Sequence, residues 1–464
     1  MADTYDVIVI GGGAVGENAA GYVRDHGLSV ALIERELVGG ECSYWACMPS
    51  KALLRPGEVL AEARRVPAAE SAVTGTVDAD AAFKTRDAFA SHWDDKHQVE
   101  WVESIGADLI RGVGRLAGPK RVEVEAPDGT AHTLEAARAV VLATGSRAAM
   151  PPIEGLADAG AWDNRDITTT SVVPQRLVIL GGGAIGVEMG QAFSRLGSAE
   201  VTIIEMADRL LPAEEPFVGA QLLEAMEAEG IDVRVDAKAT AVERHDDGTV
   251  AVGLDGGDEI VGDELLVATG RRPVTTDLGL DTVGLDPEAK LEVDDHLRVA
   301  GVDGGWLYAI GDVNGRALLT HQGKYQARIV GDVIGGRDIE AWADHRAVPR
   351  VVFTDPQIAA VGLTEQGARD AGMAVTVLSH DLGATAAGAL HGKDTAGTAQ
   401  LVVDTPRRTI VGATFTGPTS AELLHAATIA IVGGVTIDQL WHAVPAYPTL
   451  SEVWLRLLES DRGM

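Results

Sequence analysis

Asp6-Val-Ile-Val-Ile-Gly-Gly-Gly-Ala-Val-Gly16 and Arg176-Leu-Val-Ile-Leu-Gly-Gly-Gly-Ala-Ile-Gly186 decide the fold between them. Each opens with a short apolar, β-branched run, which reads as a buried strand entering a tight turn. Each then spells G-x-G-x-x-G, with glycines at 11, 13 and 16 and again at 181, 183 and 186. The first glycine permits the turn, the second lets backbone N–H groups approach a pyrophosphate, and the third lets helix and strand pack closely. A helix is predicted over about Glu17 to His26, ended by Gly27. The next strands, Ser29–Glu34 and Val201–Glu205, both finish on an acid that can accept hydrogen bonds from ribose hydroxyls. One such match is weak in a chain with 55 glycines, but the repeated context is specific. The expectation is an α/β fold with two Rossmann-like dinucleotide-binding domains.

Outward from these anchors, Leu53 to about Ala69 and Ala81 to Ile105 have helical spacing. Val122 to Ala137 alternates around Pro127-Asp-Gly129 and predicts a hairpin. Ala139-Val-Val-Leu-Ala-Thr-Gly145 is a further strand, and Met150-Pro-Pro152 marks a boundary. Leu265-Leu-Val-Ala-Thr-Gly270 mirrors Val141–Gly145, so the nucleotide-binding module occurs twice. From about Arg346 the texture changes, and a third kind of domain begins. A length of 464 residues agrees with about three domains.

Composition removes several function classes. A net charge of −31 argues against nucleic acid and anionic membranes as partners. Hydrophobic content of 46% with 23% charged residues is that of a globular chain, not a disordered one. No apolar run is long enough to span a membrane. Met1-Ala-Asp-Thr-Tyr-Asp6 lacks a basic region and reads as neither a signal nor a transit peptide, so a cytoplasmic location is the default. Two dinucleotide sites in one chain suggest a flavoenzyme holding FAD and a nicotinamide. Glu205 favours NADH over NADPH, because its charge repels a 2′-phosphate and only Arg209 follows within five residues. The two cysteines, Cys42 and Cys47, cannot build a disulfide scaffold or fill a zinc site alone. Counts leave two readings: a redox pair, or two buried core thiols.

The cysteines lie in Gly39-Gly-Glu-Cys-Ser-Tyr-Trp-Ala-Cys-Met-Pro-Ser-Lys51. Here the sequence resembles the pyridine nucleotide–disulfide oxidoreductases, whose redox motif G-G-x-C-x4-C-x-P-[ST]-K it matches at every fixed position. Further segments extend the resemblance along the chain: Tyr308–Asp312, Leu318–His321, Val352–Pro356, Val361–Glu365 and Tyr447–Glu452. The resemblance implies an FAD-binding domain in two parts, 1–150 and 271–345, interrupted by an NAD-binding domain, 151–270. A C-terminal α+β dimerisation domain, 346–464, follows. It implies that Cys47 is the flavin-side sulfur and Cys42 the outer sulfur that attacks substrate, with Lys51 near the flavin and paired with Glu188. The positive end of a helix starting near Pro49 would stabilise the thiolate. FAD contacts are implied for Gly11, Gly13, Gly16, Glu34, Gly40, Glu41, Cys42, Lys51, Gly112, Thr144, Gly145, Gly311, Asp312 and Thr320. Nicotinamide-nucleotide contacts are implied for Gly181, Gly183, Gly186, Glu188, Glu205, Ala239 and Gly270. No metal site is implied. Tyr44 and Trp45, between the cysteines, either shape a pocket wall or pack under the redox segment.

The pattern breaks at one position. The family's disulfide reductases carry His before the Pro-Thr of the C-terminal segment, supplied by the partner subunit to move protons. This chain has Tyr447 there, a poor proton shuttle near neutrality. Glu452, matching the family's His-orienting acid, has no imidazole at that position to orient. His442 is the nearest alternative proton carrier. The expected activity is passage of electrons from NADH through FAD and Cys42–Cys47 to a small disulfide-type acceptor, in a homodimer with a shared site. A metal-ion or quinone reductase is the alternative: a mercury-reducing branch of the family also places Tyr there, though it adds a C-terminal cysteine pair that this chain lacks. A non-catalytic flavin-bearing redox sensor is the third reading.

Overall fold

The computed structural model describes residues 3–393 and 395–464. Met1 and Ala2, which opened the reading of the N-terminus, lie outside the described residues. The chain forms two compact units, each built from three separated segments. One takes the chain up to Pro49 with Asp87–Ala148 and Arg271–Asp344, and the other takes Ser50–Arg86, Ala149–Gly270 and His345–Met464.

In the first unit the strand Asp3–Ile10 lies between Val30–Glu34 and Ala131–Leu142, parallel to both. Asp108–Arg111 extends the sheet beyond Val30–Glu34, and Leu307–Ala309 pairs in parallel with Ala131–Leu142. Strands buried on both faces need continuous apolar runs, and Val7, Ile8, Val9 and Ile10 all lie in the core. The hairpin expected around Pro127-Asp-Gly129 forms between Arg121–Glu125 and Ala131–Leu142. The helix Gly16–Asp25 covers one face and packs along the helix Thr320–Ile334. Gly331 lies against Tyr22, and Gly323 against Val15; a methyl group at either position would collide.

The second unit repeats the strand order. Asp232–Arg234, Glu200–Ile204, Arg176–Leu180 and Glu264–Val267 form a parallel sheet in that sequence. The helix Ala184–Leu196 follows its glycine turn. The same unit holds a five-stranded antiparallel sheet ordered Pro349–Val352, Gln357–Gly362, Thr409–Gly417, Thr398–Asp404, Val375–Asp381. The helix Ser420–Gly433 packs on it. Its outer residues Ile429 and Val432 are exposed, as are Val444 and Tyr447 further on.

Two helical expectations need correction. The stretch 53–69 is not one helix but is broken at Val66, after which the short helix Pro67–Glu70 begins. The helix Cys47–Arg65 stops at Val66, which is extended because Pro67 disfavours helical backbone before it. The stretch 81–105 is two helices, Ala79–Phe89 and Lys96–Ser104. Between them Ser91, His92 and Trp93 take left-handed conformations, with φ of 50°, 52° and 56°. Asp94 Oδ1 accepts the Lys96 N–H and Asp95 Oδ2 accepts the Val38 N–H, so short acids divert the backbone from a continuous helix.

Candidate active site

The two glycine turns are built alike. In the first, a Cβ on Gly16 would stand 1.8 Å from the Gly11 carbonyl oxygen. In the second, a Cβ on Gly186 would stand 1.9 Å from that of Gly181. Only glycine permits this crossing of turn and helix. Gly13 and Gly183 face outward, with no protein atom crowding the place of a Cβ. That is the surface a pyrophosphate needs, with helix N–H groups behind it. Glu34 Oε2 accepts the Gly12 N–H at 2.7 Å and its Oε1 accepts the Glu36 N–H at 2.7 Å. Glu205 repeats this with the Gly182 N–H at 2.6 Å and the Ala207 N–H at 2.8 Å. Each acid therefore braces its own glycine turn, a role the sequence reading missed. Each oxygen keeps a second lone pair for a ribose hydroxyl. Burial pushes the Glu34 carboxyl up. Arg209 is turned away onto Asp208 and the Pro212 carbonyl.

The cysteines occupy a broken helix. Cys42 lies in the short helix Gly40–Tyr44, and Cys47 opens the long helix Cys47–Arg65. The helix thus starts two residues before Pro49, which sits in the first turn where no N–H is required of it. Cys47 Sγ lies 3.3 Å from Thr320 Oγ1, on the first turn of the helix Thr320–Ile334. Cys42 shares a hydrogen bond with Cys47; this and burial push its thiol up, while Thr320 and Lys324 pull it down. Of the two readings of Tyr44 and Trp45, packing under the segment is the one observed. Tyr44 is wholly buried, its hydroxyl donates to the Val38 carbonyl at 3.0 Å, and Trp45 meets its ring edge-on.

Around this segment the first unit carries a polar chain that sequence reading found only in part. Ser146 Oγ donates to Asp312 Oδ2 at 2.5 Å, Arg271 Nε donates to Ser146 Oγ at 2.7 Å, and Arg271 pairs with Glu41 at 3.5 Å. Burial pushes the Asp312 carboxyl up. Glu41 and Asp312 were expected, whereas Ser146 and Arg271 were not. Their signal is positional, one residue beyond the repeated Ala-Thr-Gly strand ends at Gly145 and Gly270. Thr144 Oγ1 donates to the Val274 carbonyl at 2.8 Å, and the Gly311 N–H donates to Gln326 Oε1 at 2.7 Å. Gly40 packs its backbone on Gly13. Gly112 has φ of +152° and crowds the Glu125 carbonyl, next to the strand Asp108–Arg111.

In the second unit Lys51 Nζ lies 2.7 Å from Glu188 Oε2, and Glu188 Oε1 accepts the Phe353 N–H at 2.9 Å. The ammonium also stands 4.9 Å from the Phe353 ring centroid. Glu188 is therefore clamped from two sides. Ala239 begins the strand Ala239–Arg244, and Gly270 follows the strand Glu264–Val267. Tyr447, joined to Pro448 by a cis peptide, is 75% exposed, and His442 is exposed nearby. Glu452 is buried and takes another partner: its Oε1 accepts from Arg456 Nη2 at 2.6 Å, one turn along the same helix.

Two dinucleotide turns, each braced by an acid, and a dithiol beside the first define an oxidoreductase of the flavin and nicotinamide class. The comparisons take this further. The sequence matches the family described as "Pyridine nucleotide-disulphide oxidoreductase" over residues 5–327, and its dimerisation domain over 348–457. It is 34% identical to a dihydrolipoyl dehydrogenase of Halobacterium salinarum, covering 99% of this chain and 96% of that one. It is 31% identical to a mercuric reductase of Staphylococcus aureus, covering 97% and 81%. Among solved structures, the Cu(II) complex of the HOCl-induced flavoprotein disulfide reductase RclA of Escherichia coli superposes with a TM-score of 0.86 at 25% identity, covering 99% of each chain. LpdA of Mycobacterium tuberculosis gives 0.86 at 25% identity over the whole of both chains. The chain belongs to the pyridine nucleotide–disulfide oxidoreductase family, whose members use FAD and NAD(P)H. Its dimerisation domain indicates a homodimer. Among the described residues no helix is long and apolar enough to cross a membrane.

Proposed function

We propose that this enzyme takes reducing equivalents from NADH and delivers them through Cys42 and Cys47 to a small disulfide-type acceptor. Bound FAD supplies the ring that accepts a hydride and passes electrons on to the cysteines. The observation that carries the reading is the dithiol itself: Cys42 against Cys47, with Cys47 Sγ 3.3 Å from Thr320 Oγ1. The first glycine turn, Glu34, Gly40, Glu41 and Asp312 suit FAD, in a domain formed by 1–150 and 271–345. The second turn and Glu205 suit the nicotinamide nucleotide, in 151–270. NADH is preferred because the Glu205 carboxylate stands where a 2′-phosphate would repel it and Arg209 is engaged elsewhere. Cys47, at the first position of a 19-residue helix, gains thiolate stability from the helix dipole. Cys42 is the sulfur that meets the acceptor.

Anaerobic NADH titration tests this. Two-electron reduction should raise a long-wavelength thiolate–flavin absorption, and Cys47→Ser should abolish it. An unchanged spectrum would sink the enzyme reading and leave a non-catalytic flavin-bearing sensor.

A metal ion or quinone as acceptor is the second reading, favoured by the C-terminal segment. Tyr447 replaces the imidazole, and Glu452 gives one of its two oxygens to Arg456, so the proton machinery of disulfide exchange is altered. Relatives named mercuric reductase and a Cu(II) complex of RclA point the same way. In either case Tyr447 of each subunit serves the other subunit's thiols. Turnover of small disulfides, quinones and metal salts by wild type and Tyr447→His separates the acceptors.

A further inference from the structure

In the first unit the three-residue strands Ser146–Ala148 and Arg271–Pro273 form a sheet of their own, antiparallel and only two strands wide. In it Arg147 stands directly opposite Arg272. Residues directly opposite share a face, and like charges there destabilise the pair. A sheet this small has little packing with which to absorb that cost. Alternation along the strand sends Arg271 to the other face, where it meets Ser146 and Glu41. Arg147 and Arg272 are exposed, and neither has an acid partner among the described residues.

The two arginines line a hollow of about 420 Å³, walled further by residues 288–290, Gly315 and Leu318. Two contacts hold the 288–290 segment in place. Thr275 Oγ1 donates to the Pro287 carbonyl at 2.8 Å. Lys290 lies over Gly315, its Cε 3.1 Å from where a Cβ on that glycine would stand. Lys290 is a third exposed cation without an acid partner among the described residues. Glu288 is the one acid in the lining. The acids nearest in sequence are turned elsewhere: Asp277 pairs with Arg115 at 2.7 Å, and Asp286 accepts the Glu288 N–H at 2.9 Å. In a chain of net charge −31, three unpaired cations around one hollow run against composition.

We propose that Arg147, Arg272 and Lys290 form a binding site for a small diphosphate anion. Two guanidinium forks side by side suit the several oxygens of a phosphate group, and the ammonium adds a point charge. A bound anion turns the cross-strand repulsion into a shared attraction, so the small sheet is held best when the site is filled. No residue of either glycine turn lines the hollow, so it is not one of the two dinucleotide turns. The same chemistry is carried by a free anion and by the diphosphate of a dinucleotide, and the experiment separates the two.

That experiment is isothermal titration calorimetry of the FAD-loaded enzyme with inorganic pyrophosphate and, separately, with NAD+. Wild type should bind pyrophosphate, more weakly as salt rises. Arg147→Gln and Arg272→Gln should each weaken it about tenfold, the loss of one charge-assisted contact, and Lys290→Gln about threefold. Gly183→Ala, which alters only the second glycine turn, should leave it unchanged. If the arginine substitutions weaken NAD+ binding by the same factor, the site takes the diphosphate of the dinucleotide. If NAD+ binding is unmoved, the site takes a free anion. Unfolding in urea gives a second reading: pyrophosphate should raise the midpoint of wild type and not that of the double variant Arg147→Gln/Arg272→Gln. Failure of wild type to bind pyrophosphate overturns the proposal. So does equal binding by wild type and both arginine variants, a loss confined to Gly183→Ala, or an equal rise in midpoint for wild type and the double variant.

Discussion

Gly186→Ala is the substitution whose consequence follows most directly from geometry. The added Cβ would stand 1.9 Å from the Gly181 carbonyl oxygen, where real contacts do not fall below 3.0 Å. The helix Ala184–Leu196 must draw back from the turn by about 1 Å, since the obstacle is backbone and cannot rotate away. Overpacking of this size costs about 1–3 kcal/mol. Nucleotide binding needs the turn and the helix start together, so the strain must be restored on binding and enters the affinity. That is about 5- to 150-fold in Kd for NADH. Stopped-flow reduction of the bound flavin at increasing NADH reads this Kd, and dithionite reduction checks that the flavin remains competent. Gly16→Ala makes the matching collision, 1.8 Å from the Gly11 oxygen, and should cost retained FAD instead, read as flavin absorbance per protein. Gly183→Ala meets no protein atom, so any loss of NADH affinity there reports the approach of the nucleotide alone. A Gly186→Ala enzyme with unchanged Kd for NADH would falsify the assignment of the second turn.

Glu188→Ala strips the Phe353 N–H and Lys51 of their partner and should cost about 1–3 kcal/mol of unfolding free energy in urea, with Glu188→Gln recovering part of it by keeping the Phe353 bond. Glu17 supplies a pH dependence of stability. Its carboxyl goes from 4.5 unfolded to about 7 folded, so the folded chain holds the proton more tightly. The contribution is complete below pH 4.5 and is lost as pH rises through 7, an amplitude of about 3 kcal/mol that Glu17→Gln should flatten in denaturation series at pH 5 and 7.5. Tyr447 is exposed in the single chain, so Tyr447→Phe and Tyr447→His should leave unfolding within about 0.5 kcal/mol of wild type while changing acceptor turnover. A gain of disulfide turnover in Tyr447→His alone shows that the native acceptor is not a disulfide. Removing the chain beyond Ala341 should abolish turnover if the site is shared, and retained turnover refutes sharing.

Much of the fold was legible because its signals are local. The strand-turn-helix at Gly11 and its copy at Gly181 need particular residues at fixed offsets, and backbone sterics leave no substitutes. The interrupted helix at 91–93 was not legible, because Asp95 is drawn out of register by Val38 and Arg111, partners far away in sequence. Glu34 and Glu205 were read as ribose acceptors, and their bracing of the glycine turns emerged only once their carboxylates could be seen on backbone N–H groups. The Ser146–Arg271–Asp312 chain joins residues from three distant segments, and no periodicity announces it.

By itself, then, the sequence determined the duplicated nucleotide module, the position of the two thiols and the absence of a histidine at 447. These follow from residue identity, short-range geometry and motif order. Tertiary structure alone decided which polar groups gather beside the thiol segment. Ser146, Arg271 and Asp312 come together with Glu41, the neighbour of Cys42, from segments far apart in the chain. Electrostatic neighbours are set by distance through space, which a linear order of residues does not encode. Two cysteines and a missing histidine therefore name the kind of chemistry, and the convergence of distant segments sets the polar groups beside it.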